Sequence, residues 1–433
     1  MNRIYTFPYG KSQQTVALPE EHVRYVLRGQ PTQPAADVRQ AVRQAVEPSL
    51  AALTERIGPD ERVVIVVSDA TRAVHTEEML DVLLERLQAA GISLAHIRLL
   101  VALGTHRPAT KEELVQICGP RWAGTLQIVQ HDCRDAAQLV RVGCTSFGND
   151  VYINRQAVEA DHLILTGGIS FHDMAGFSGG RKAVLPGLAG YDTIMRNHGL
   201  ALNDEQTGGM NEQCRAGNLL GNAMHDDMVE GVSFINPDYM VNTVLSADGS
   251  VYDVVAGHWL RAWEEGCRLL SRIDTAYMPE QADVVITSAG GYPKDINFYQ
   301  ATKAHMNAVF AVKPGGIMIV VMDCPDSAEP PEFARAFAIQ DGQEWERQLR
   351  QEFTIPSFSA YKTKDIIQSL RAVYAVTRPE NNAVMIQSGQ IPTATLEEAW
   401  HLAQEQLHHD GNETYTIAVM PYGASTLPAV RPH

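Results

Sequence analysis

The sequence predicts an α/β protein with mainly parallel sheets. Two observations support this class: short, nearly continuous apolar runs recur along the chain, and amphipathic helical patterns lie between them. Continuous apolar runs are typical of strands that are buried on both faces, as parallel strands covered by helices are. The strand-like runs occupy residues 62–67, 96–103, 162–166, 283–288, 316–322, 382–387 and 414–420. The clearest helical patterns occupy residues 77–90, 111–118 and 396–407.

The length of the chain predicts two domains. At 433 residues it exceeds the size at which a single hydrophobic core usually stops growing. Residues 270–282 lack a strong helical or strand period and precede a new strand, so we expect a boundary there. We predict a larger N-terminal α/β domain over residues 1–275 and a smaller α/β domain over residues 280–411, with the active site in the crevice between them. Segment 413–433 is expected to return to the first domain as an extra strand.

The charge and apolar content of the chain argue against several classes of protein. The chain has 35 Lys and Arg residues and 51 Asp and Glu residues, which gives a net charge of −16. This negative charge disfavours nucleic acid or an anionic membrane as the main partner. The N-terminal residues lack the apolar core of a signal peptide, and the longest apolar run, 317–322, is too short to span a bilayer. We therefore expect a cytoplasmic protein. None of the six cysteines lies in a CxxC pair, so ordinary reduced thiols are expected.

Polar motifs follow four of the predicted strands. They are SDATR (68–72), GTHRP (104–108), GGISFHDMAGFSGGRK (167–182) and AGGYPKDINFYQATKAH (289–305). Loops at the carboxyl ends of parallel strands converge on one edge of a sheet, so these motifs are expected to form one site. Polar, glycine-rich loops are also common without any function, but four such motifs together favour a functional site.

The segment GFSGGRK (176–182) has features of a phosphate-binding loop without being a Walker A motif. Its glycines permit positive φ, and Ser178 is expected to cap a helix that begins near Gly179, where free N–H groups attract phosphate. The GxxxxGK[ST] spacing is absent, so a nucleoside-triphosphate enzyme is disfavoured. Consecutive helical residues diverge by about 100°, so only one of Arg181 and Lys182 is expected to face the site. A lysine in a dry crevice suits covalent attachment of a cofactor.

The segment HDMAGFSGGRKAVLPGLAGYDTIMRNH (172–198) resembles the signature of the nickel-pincer lactate racemase family. The motifs SDATR, LGTHRP and GGYPKDINFYQATK are similar to that family's motifs and occur in the same order, so the resemblance covers most of the chain. It implies a racemase or epimerase of a lactate-like 2-hydroxy acid. It also implies a lysine-tethered nickel-pincer nucleotide, nickel pyridinium-3-thioamide-5-thiocarboxylic acid mononucleotide, and partner proteins that make this cofactor.

The resemblance assigns roles to individual residues by position. Lys182 matches the tether of the cofactor and His198 the protein ligand of nickel, so the N-terminal domain is expected to bind the cofactor. His106 and His172 match the two acid/base histidines. The further cofactor-binding matches are Asp69, Thr71, Gly179 and Gly180. The substrate-binding matches are Arg72, Tyr299, Gln300 and Lys303.

The chemistry of a 2-hydroxy acid racemase explains these residue types. The Cα–H bond is very weakly acidic, and transfer of a hydride to a cofactor avoids a carbanion. A base must take the hydroxyl proton as the hydride leaves, and the transient 2-keto acid then presents its other face and takes the hydride back. Two histidines provide one base for each enantiomer, because the histidine pKa lies near working pH. Arg72 and Lys303 suit binding of the substrate carboxylate.

Other interpretations of these residues stay open at the level of sequence. Asp69 either contacts the substrate or only orients Arg72. His225, in AMHDDM, is expected on a solvated helix face. A zinc-type hydrolase would use the same histidines, and a non-catalytic carrier or sensor of the nickel cofactor would need only Lys182 and His198.

The chain also departs from the family pattern around the expected substrate pocket. Ala73 stands where a proline is common, and Thr105 and the pair Asp173-Met174 stand where aromatic residues are frequent. These positions surround the substrate rather than the cofactor. The departures therefore put lactate itself in doubt and leave the class of 2-hydroxy acids in place.

Overall fold

The computed structural model describes residues 1–30, 33–246 and 249–431. It divides the chain into two compact units, one formed by residues 31–273 and the other by residues 1–30 together with 274–433. The division at residue 273 falls within the stretch where the sequence predicts a boundary. Strands β1 (Asn2–Tyr9), β2 (Ser12–Pro19) and β3 (Val23–Val26) lie in the N-terminal segment.

The unit formed by residues 31–273 alternates strands and helices. Its strands are β4 (Val63–Ser68), β5 (Ile97–Ala102), β6 (Gln127–Gln130), β7 (Leu139–Cys144), β8 (Asp150–Asn154), β9 (His162–Ile169), β10 (Phe171–His172), β11 (Gly176–Phe177), β12 (Tyr239–Leu245) and β13 (Val251–Gly257). Its helices are α1 (Val38–Thr54), α2 (Thr76–Ala89), α3 (Lys111–Ala123), α4 (Arg155–Val158), α5 (Tyr191–Gly199), α6 (Ala223–Ser233) and α7 (Trp259–Asp274). A 3₁₀ turn at Gly180–Ala183 follows β11.

The central sheet of this unit has the strand order β13-β12-β9-β4-β5-β6. The β12/β13 pair is antiparallel, and the other neighbours are parallel. The register pairs Val63 with Ile97 and Ser68 with Ala102, so β4 and β5 end at the same level. The polar motifs that follow β4, β5 and β9 therefore leave the same edge of one sheet, as the sequence predicts for these three. The fourth motif, residues 289–305, lies in the other unit and does not share this edge.

Helices cover this sheet with the apolar faces that their periodicity predicts. Helix α2 buries Leu83 and Leu87 in the same core as Ile65 of β4. Helix α3 begins at a capping box, in which the Thr110 hydroxyl accepts the Glu113 N–H and the Glu113 carboxylate accepts the Thr110 N–H. Caps and buried faces together fix where these helices begin and how they rotate against the sheet.

The second unit continues from residue 274 and takes in the N-terminal strands. Its further strands are β14 (Thr275–Met278), β15 (Ala282–Ser288), β16 (Val312–Val321), β17 (Ala372–Val376), β18 (Ile391–Thr393), β19 (Ile417–Met420) and β20 (Leu427–Val430). Its helices are α8 (Phe298–Ala308), α9 (Pro331–Ala336), α10 (Gly342–Gln351), α11 (Ile355–Gln368), α12 (Asn382–Ser388) and α13 (Leu396–His409).

A second sheet, of order β18-β17-β16-β15-β19-β3, forms the centre of this unit, and its neighbouring strands are parallel. The antiparallel β1/β2 hairpin adds Phe7 and Leu18 to the core that contains Ile286 and Ile319. Each unit thus has its own sheet and its own hydrophobic core. The predicted class, α/β with mainly parallel sheets, is confirmed.

The two chain termini are placed differently from the sequence expectation. Strand β19 pairs with β15, with Ile417 opposite Val284, so the described part of segment 413–433 does not return to the 31–273 unit as a strand of its sheet. Strand β3 pairs with the other side of β19, which brings residues 1–30 into the same unit. The reason is burial: Ile417, Ala418 and Val419 are completely buried, which requires cover on both faces and a partner on both edges.

The predicted strand at residues 382–387 is wrong, because these residues form helix α12. Met385 and Ser388 are buried while Ile386 is exposed, which is the one-sided pattern of a short helix. Gly389 ends the helix in the left-handed conformation, with φ of 98°. The strand of this region is β17, whose run AVYAV sequence reasoning passed over; short apolar runs do not by themselves distinguish a strand from a helix.

Two further expectations concern cysteines and membranes. All six cysteines are free thiols, as the lack of paired spacing predicts. Among the helices of the described residues, none combines the length and the hydropathy that a bilayer span requires.

Replacing Ile65 by Ala is expected to lower the free energy of unfolding by about 2–5 kcal/mol, because it opens a cavity in a completely buried strand. Val115→Ala on the exposed side of α3 is the control and should change it by no more than about 0.5 kcal/mol. Urea unfolding followed by tryptophan fluorescence measures both. Equal effects of the two substitutions would contradict the assignment of β4 to the core.

Candidate functional site

The candidate site is built on the carboxyl ends of β4, β5 and β9. Asp69 comes directly after β4, and His106 lies in the loop after β5. His172 lies in the short hairpin β10/β11 that follows β9, and Lys182 lies in the 3₁₀ turn after that hairpin. His198 lies near the end of α5. The 31–273 unit thus contains these five residues.

Asp69 and His106 form a hydrogen-bonded pair. The Asp69 side chain is buried, and its Oδ2 lies 2.7 Å from His106 Nδ1. Its Oδ1 accepts the Thr71 backbone N–H at 2.7 Å and the Thr71 hydroxyl at 2.5 Å. Burial raises the pKa of the Asp69 carboxyl group, but the hydrogen bonds from His106 and Thr71 outweigh burial and hold this pKa below its ordinary value. An ionised carboxylate only accepts, so His106 carries its proton on Nδ1.

This pairing decides what His106 can do. With Nδ1–H directed at Asp69, the Nε2 lone pair is left to accept a proton, and the His106 side chain is 46% exposed. Asp69 therefore orients His106, which is neither of the two roles that the sequence left open for it. The Arg72 backbone N–H donates to the Asp69 carbonyl at 3.1 Å, and the Arg72 side chain is exposed at the same loop.

His172 lies over its own hairpin turn. Across β10/β11 it pairs with Gly176, and its side chain is largely buried. The backbone N–H groups of Met174 and Ala175 each lie 3.2 Å from His172 Nδ1. Asp173 Oδ1 lies 3.2 Å from the same nitrogen. His172 is thus held through Nδ1, as His106 is, but by a different set of groups.

The glycines of GFSGGRK adopt the conformations that the sequence predicts, although the expected helix does not form. Gly179 and Gly180 have φ of 70° and 51°, and a single 3₁₀ turn follows. The expected cap at Ser178 is wrong, because its hydroxyl accepts the Ser170 N–H and donates to the Gly168 carbonyl. The argument for a phosphate site from a helix dipole therefore does not apply to this turn.

Close packing explains why these positions require glycine. A Cβ atom on Gly179 would lie 2.6 Å from Asn242 Oδ1, and one on Gly180 would lie 2.5 Å from the Trp263 ring. Asn242 is completely buried in β12, and its Oδ1 accepts the Gly180 N–H at 2.7 Å. Trp263 Nε1 donates to the Ser178 carbonyl at 2.9 Å. The turn is therefore fixed to the sheet and to α7 at several points.

The neighbours Arg181 and Lys182 differ in exposure, since Arg181 is completely buried and Lys182 is half-buried. The Arg181 guanidinium is completely buried, stacks 3.9 Å from the centre of the Trp263 ring and donates to the Ala175 carbonyl at 2.8 Å. Burial lowers the Arg181 pKa to about 9. Burial, followed by the positive charges of Arg181 and Arg72, lowers the Lys182 pKa to about 7. Lys182 therefore has a substantial neutral, nucleophilic amine fraction near neutral pH.

His198 is a buried imidazole held through one ring nitrogen. It is almost completely buried, and its Nδ1 donates to the Ile194 carbonyl at 2.9 Å, because a carbonyl can only accept. Burial and then the charge of Lys182 lower the His198 pKa to about 3, so the ring is neutral. A neutral imidazole with Nδ1–H on a carbonyl presents the Nε2 lone pair, which is how protein histidines commonly bind metals.

A buried carboxylate holds the helix that bears His198. Asp227 is completely buried, and its Oδ1 accepts the Thr145 hydroxyl at 2.6 Å. Its Oδ2 accepts the side-chain amides of Asn149 and Asn197, each at 2.8 Å. Since Asn197 precedes His198, these bonds fix the end of α5 against α6 and the β7/β8 connection.

Three candidate substrate residues lie on α8, in the unit formed by residues 1–30 and 274–433. Asn297 caps the helix by accepting the Gln300 N–H. Lys303 Nζ donates to Gln300 Oε1 at 2.8 Å, so these two side chains share one face. The Tyr299 ring lies 5.4 Å from that of Phe333 and packs against it.

Several residues that shape the site gave little or no signal in the sequence. Asn242 is a polar residue inside the apolar strand YMVNTVL, which was a usable signal that sequence reasoning passed over. The expected solvated face at His225 is wrong, because this ring lies 5.4 Å from that of Trp263. Burial and then Arg181 lower the His225 pKa to about 3. Within the described residues, no cluster of three or more His, Cys, Asp or Glu side chains is placed to hold a metal ion.

Sequence comparison finds relatives along the whole chain. Residues 9–209 match the model of the lactate racemase N-terminal domain, and residues 278–427 match that of the lactate racemase C-terminal domain. The chain is 31% identical over 428 residues to the lactate racemase of Thermoanaerobacterium thermosaccharolyticum, covering 97% of this chain and 98% of the relative. It is 39% identical over 265 residues to the lactate racemase of Lactiplantibacillus plantarum, covering 61% and 60%.

Solved structures agree with these matches. The lactate racemase apoprotein from Thermoanaerobacterium thermosaccharolyticum matches with a TM-score of 0.88 at 29% identity, covering 99% of this chain and 100% of that one. A protein from Thermotoga maritima matches with a TM-score of 0.62 at 18% identity, covering 94% and 100%. The second match concerns the fold only.

Replacing Asp227 by Ala is expected to lower the free energy of unfolding by at least about 2 kcal/mol, because it leaves three buried donors without their acceptor. Asp226→Ala, an exposed neighbour on the same helix, should lose less than about 1 kcal/mol. Urea unfolding compares the two variants. A smaller loss for Asp227→Ala than for Asp226→Ala would contradict the role of Asp227 in holding α5.

Proposed function

The chain belongs to the lactate racemase family, a family of isomerases, and from this premise we propose that it racemises or epimerises a small 2-hydroxy acid related to lactate. One observation carries the proposal. Lys182 and His198 are coupled electrostatically, and both are driven toward their neutral forms by burial, in the unit that also bears His106 and His172. A neutral amine and a neutral imidazole suit covalent attachment of a cofactor and ligation of its metal.

The family implies a nickel-dependent cofactor, and the form we propose is the nickel-pincer nucleotide, joined to Lys182 and supplied by cofactor-making proteins. When bound, this cofactor supplies the acceptor and donor for the hydride at C2 of the substrate. The residues of this chain fit such a group: the Lys182 amine can form the covalent bond, and His198 presents Nε2 while Ile194 holds its Nδ1. Gly179 and Gly180 are proposed to contribute to cofactor binding through the tight turn that they form, which holds Lys182 in place.

We propose that His106 and His172 move the hydroxyl proton, each acting as base for one enantiomer and as acid for the other. At His106 the proton acceptor is Nε2. The imidazolium formed there is stabilised by Asp69, whose carboxylate accepts a hydrogen bond from Nδ1–H. Thr71 holds that carboxylate through its other oxygen. Asp69 and Thr71, matched by resemblance to cofactor-binding positions, are thus proposed to act mainly through His106.

The substrate carboxylate and hydroxyl are proposed to bind through residues that the motifs supply. Arg72 provides an exposed guanidinium in the loop that bears Asp69. Gln300 and Lys303 provide an amide and an ammonium group on one face of α8. Tyr299 packs on Phe333, so its proposed contribution is to the shape of the pocket rather than to charge. Cationic groups of this kind hold a carboxylate through charge-assisted hydrogen bonds.

Lys182→Ala is expected to abolish covalent attachment of the cofactor, because it removes the amine. Intact mass of the protein made with and without the cofactor-making proteins measures this, and wild type should gain the mass of the adduct. Lys111→Ala, an exposed lysine at the start of α3, is the control and should gain the same mass. An unchanged wild-type mass under full nickel loading would contradict the tether.

His106→Ala and His172→Ala are each expected to lower kcat/KM by about 10²- to 10⁴-fold while the protein keeps its adduct, because each removes a general acid/base group. The loss should be equal from either enantiomer of a racemised acid, since the equilibrium constant is 1. Chiral analysis of a panel of 2-hydroxy acids measures it. With substrate deuterated at C2, the label should slow the reaction and largely return to C2. Rapid exchange of C2 with solvent would instead indicate proton abstraction.

A further inference from the structure

Three groups compete for one nitrogen of His172. Asp173 Oδ1, Met174 N and Ala175 N all lie 3.2 Å from His172 Nδ1. The side chains of His172 and Asp173 are 18% and 17% exposed, so water screens this contact only partly. A neutral imidazole carries a proton on one of its two nitrogens. Nδ1 can therefore accept from the backbone or donate to Asp173, but it cannot do both.

The two arrangements have opposite consequences for proton transfer. The backbone N–H groups of Met174 and Ala175 favour an unprotonated Nδ1, which places the proton on Nε2. A neutral ring in that form has no lone pair at Nε2 and cannot act there as a base. The Asp173 carboxylate favours Nδ1–H, which places the ring's lone pair on Nε2. It also stabilises the imidazolium that forms when Nε2 takes a proton.

His106 provides the comparison within the same unit. Its Nδ1 lies 2.7 Å from Asp69, whose other oxygen is held by Thr71. The Asp69 carboxylate is deeply buried and its hydrogen bonds favour one tautomer of His106. At His172 the carboxylate belongs to the next residue, Asp173, and two backbone N–H groups compete with it for Nδ1. The tautomer with its proton on Nδ1 therefore depends on the charge of Asp173.

We propose that Asp173 is a positioning residue that sets the proton of His172 on Nδ1 and so makes Nε2 a working base. Around the neighbouring Lys182, the positive charges of Arg181 and Arg72 lower the Lys182 pKa and the negative charge of Asp173 raises it, so Asp173 is the one anion in that set of three charges. Asp173 thus supplies negative charge where cations would otherwise oppose an imidazolium. The catalytic meaning of this proposal, though not the tautomer itself, rests on the proposed function.

The tautomer is measured on the apoprotein by NMR with ¹⁵N-labelled histidine, in which the two ring nitrogens of each tautomer have distinct chemical shifts. His172→Ala assigns the signals of His172. In wild type, His172 should be mainly protonated on Nδ1 at a pH where the ring is neutral. Asp173→Ala should move the proton to Nε2 and lower the pH midpoint of the ring, and the signals of His106 should not move.

Two further variants separate charge from structure. Asp173→Asn keeps an oxygen that can accept the Nδ1–H and should retain more of that tautomer than Asp173→Ala does. Asp253→Asn removes the same unit of charge from an exposed position on β13 and should leave His172 unchanged. Thermal unfolding of all variants tests whether they fold alike. An unchanged His172 tautomer in both Asp173 variants would overturn the proposal, even if one of them were less stable.

Kinetics with the adduct-loaded enzyme tests the consequence for catalysis. Asp173→Ala should lower kcat by at least about tenfold, and by no more than the roughly 10²- to 10⁴-fold contribution of a complete general base, with little change in KM. Asp173→Asn should lie between Asp173→Ala and wild type. Normal kcat in Asp173→Ala would overturn the catalytic role. A tautomer shift in an adduct-loaded protein that racemises no 2-hydroxy acid would instead count against the proposed function and support the tautomer assignment.

Discussion

The site depends on two adjacent basic residues in one turn, of which Arg181 is completely buried and Lys182 is half-buried. Arg181 and Lys182 both lie in the 3₁₀ turn that follows the β10/β11 hairpin, and burial disfavours the charge of each. The guanidinium remains protonated near neutral pH, because its pKa falls only to about 9 while backbone carbonyls and the Trp263 ring surround it. The positive charge of Arg181 lowers the Lys182 pKa in addition to the effect of burial, and this pKa falls to about 7. Burial and the adjacent Arg181 charge together therefore give Lys182 its neutral, nucleophilic amine fraction.

The rest of the unit maintains this arrangement. Asn242 of β12 accepts the Gly180 N–H, and Trp263 of α7 donates to the Ser178 carbonyl, so the turn cannot move away from the sheet without breaking both bonds. Asp227 fixes Asn197 and with it the end of α5, where His198 remains neutral beside Lys182. The parallel register of β4 and β5 brings the Asp69–His106 pair to the same sheet edge. Packing thus sets the charge of the residues that are proposed to react.

Much of the fold was predictable because its central strands are continuous apolar runs. Strands β4, β5, β9 and β15 lie where the sequence predicts them, since strands buried on both faces allow few polar residues. Strand β12 was missed because Asn242 interrupts its run, and α12 was mistaken for a strand because six apolar and polar residues are too few to define a period. The termini were misplaced because pairing of β3 with β19 joins distant segments, which no local pattern encodes.

The residue types of the site were also predictable, but their partners were not. Motif and resemblance single out His106, His172, Lys182 and His198 before any geometry is known. In the structure, Asp69 holds His106 rather than Arg72, and Asp173 competes with two backbone N–H groups for His172. These contacts depend on distances of about 3 Å within particular loops, which the sequence does not give. The failed cap at Ser178 has the same origin, because its hydroxyl finds closer partners in Ser170 and Gly168.

The central claim, that burial beside Arg181 lowers the Lys182 pKa to about 7, is tested most directly by titrating the apoprotein with ¹³Cε-labelled lysine, using Lys182→Arg to assign the signal. The account predicts a midpoint at about pH 7 for Lys182, well below the ordinary lysine value of about 10.4. Arg181→Met, which removes the adjacent charge at similar volume, should raise the Lys182 midpoint. A Lys182 midpoint close to that of the exposed lysines would contradict the account.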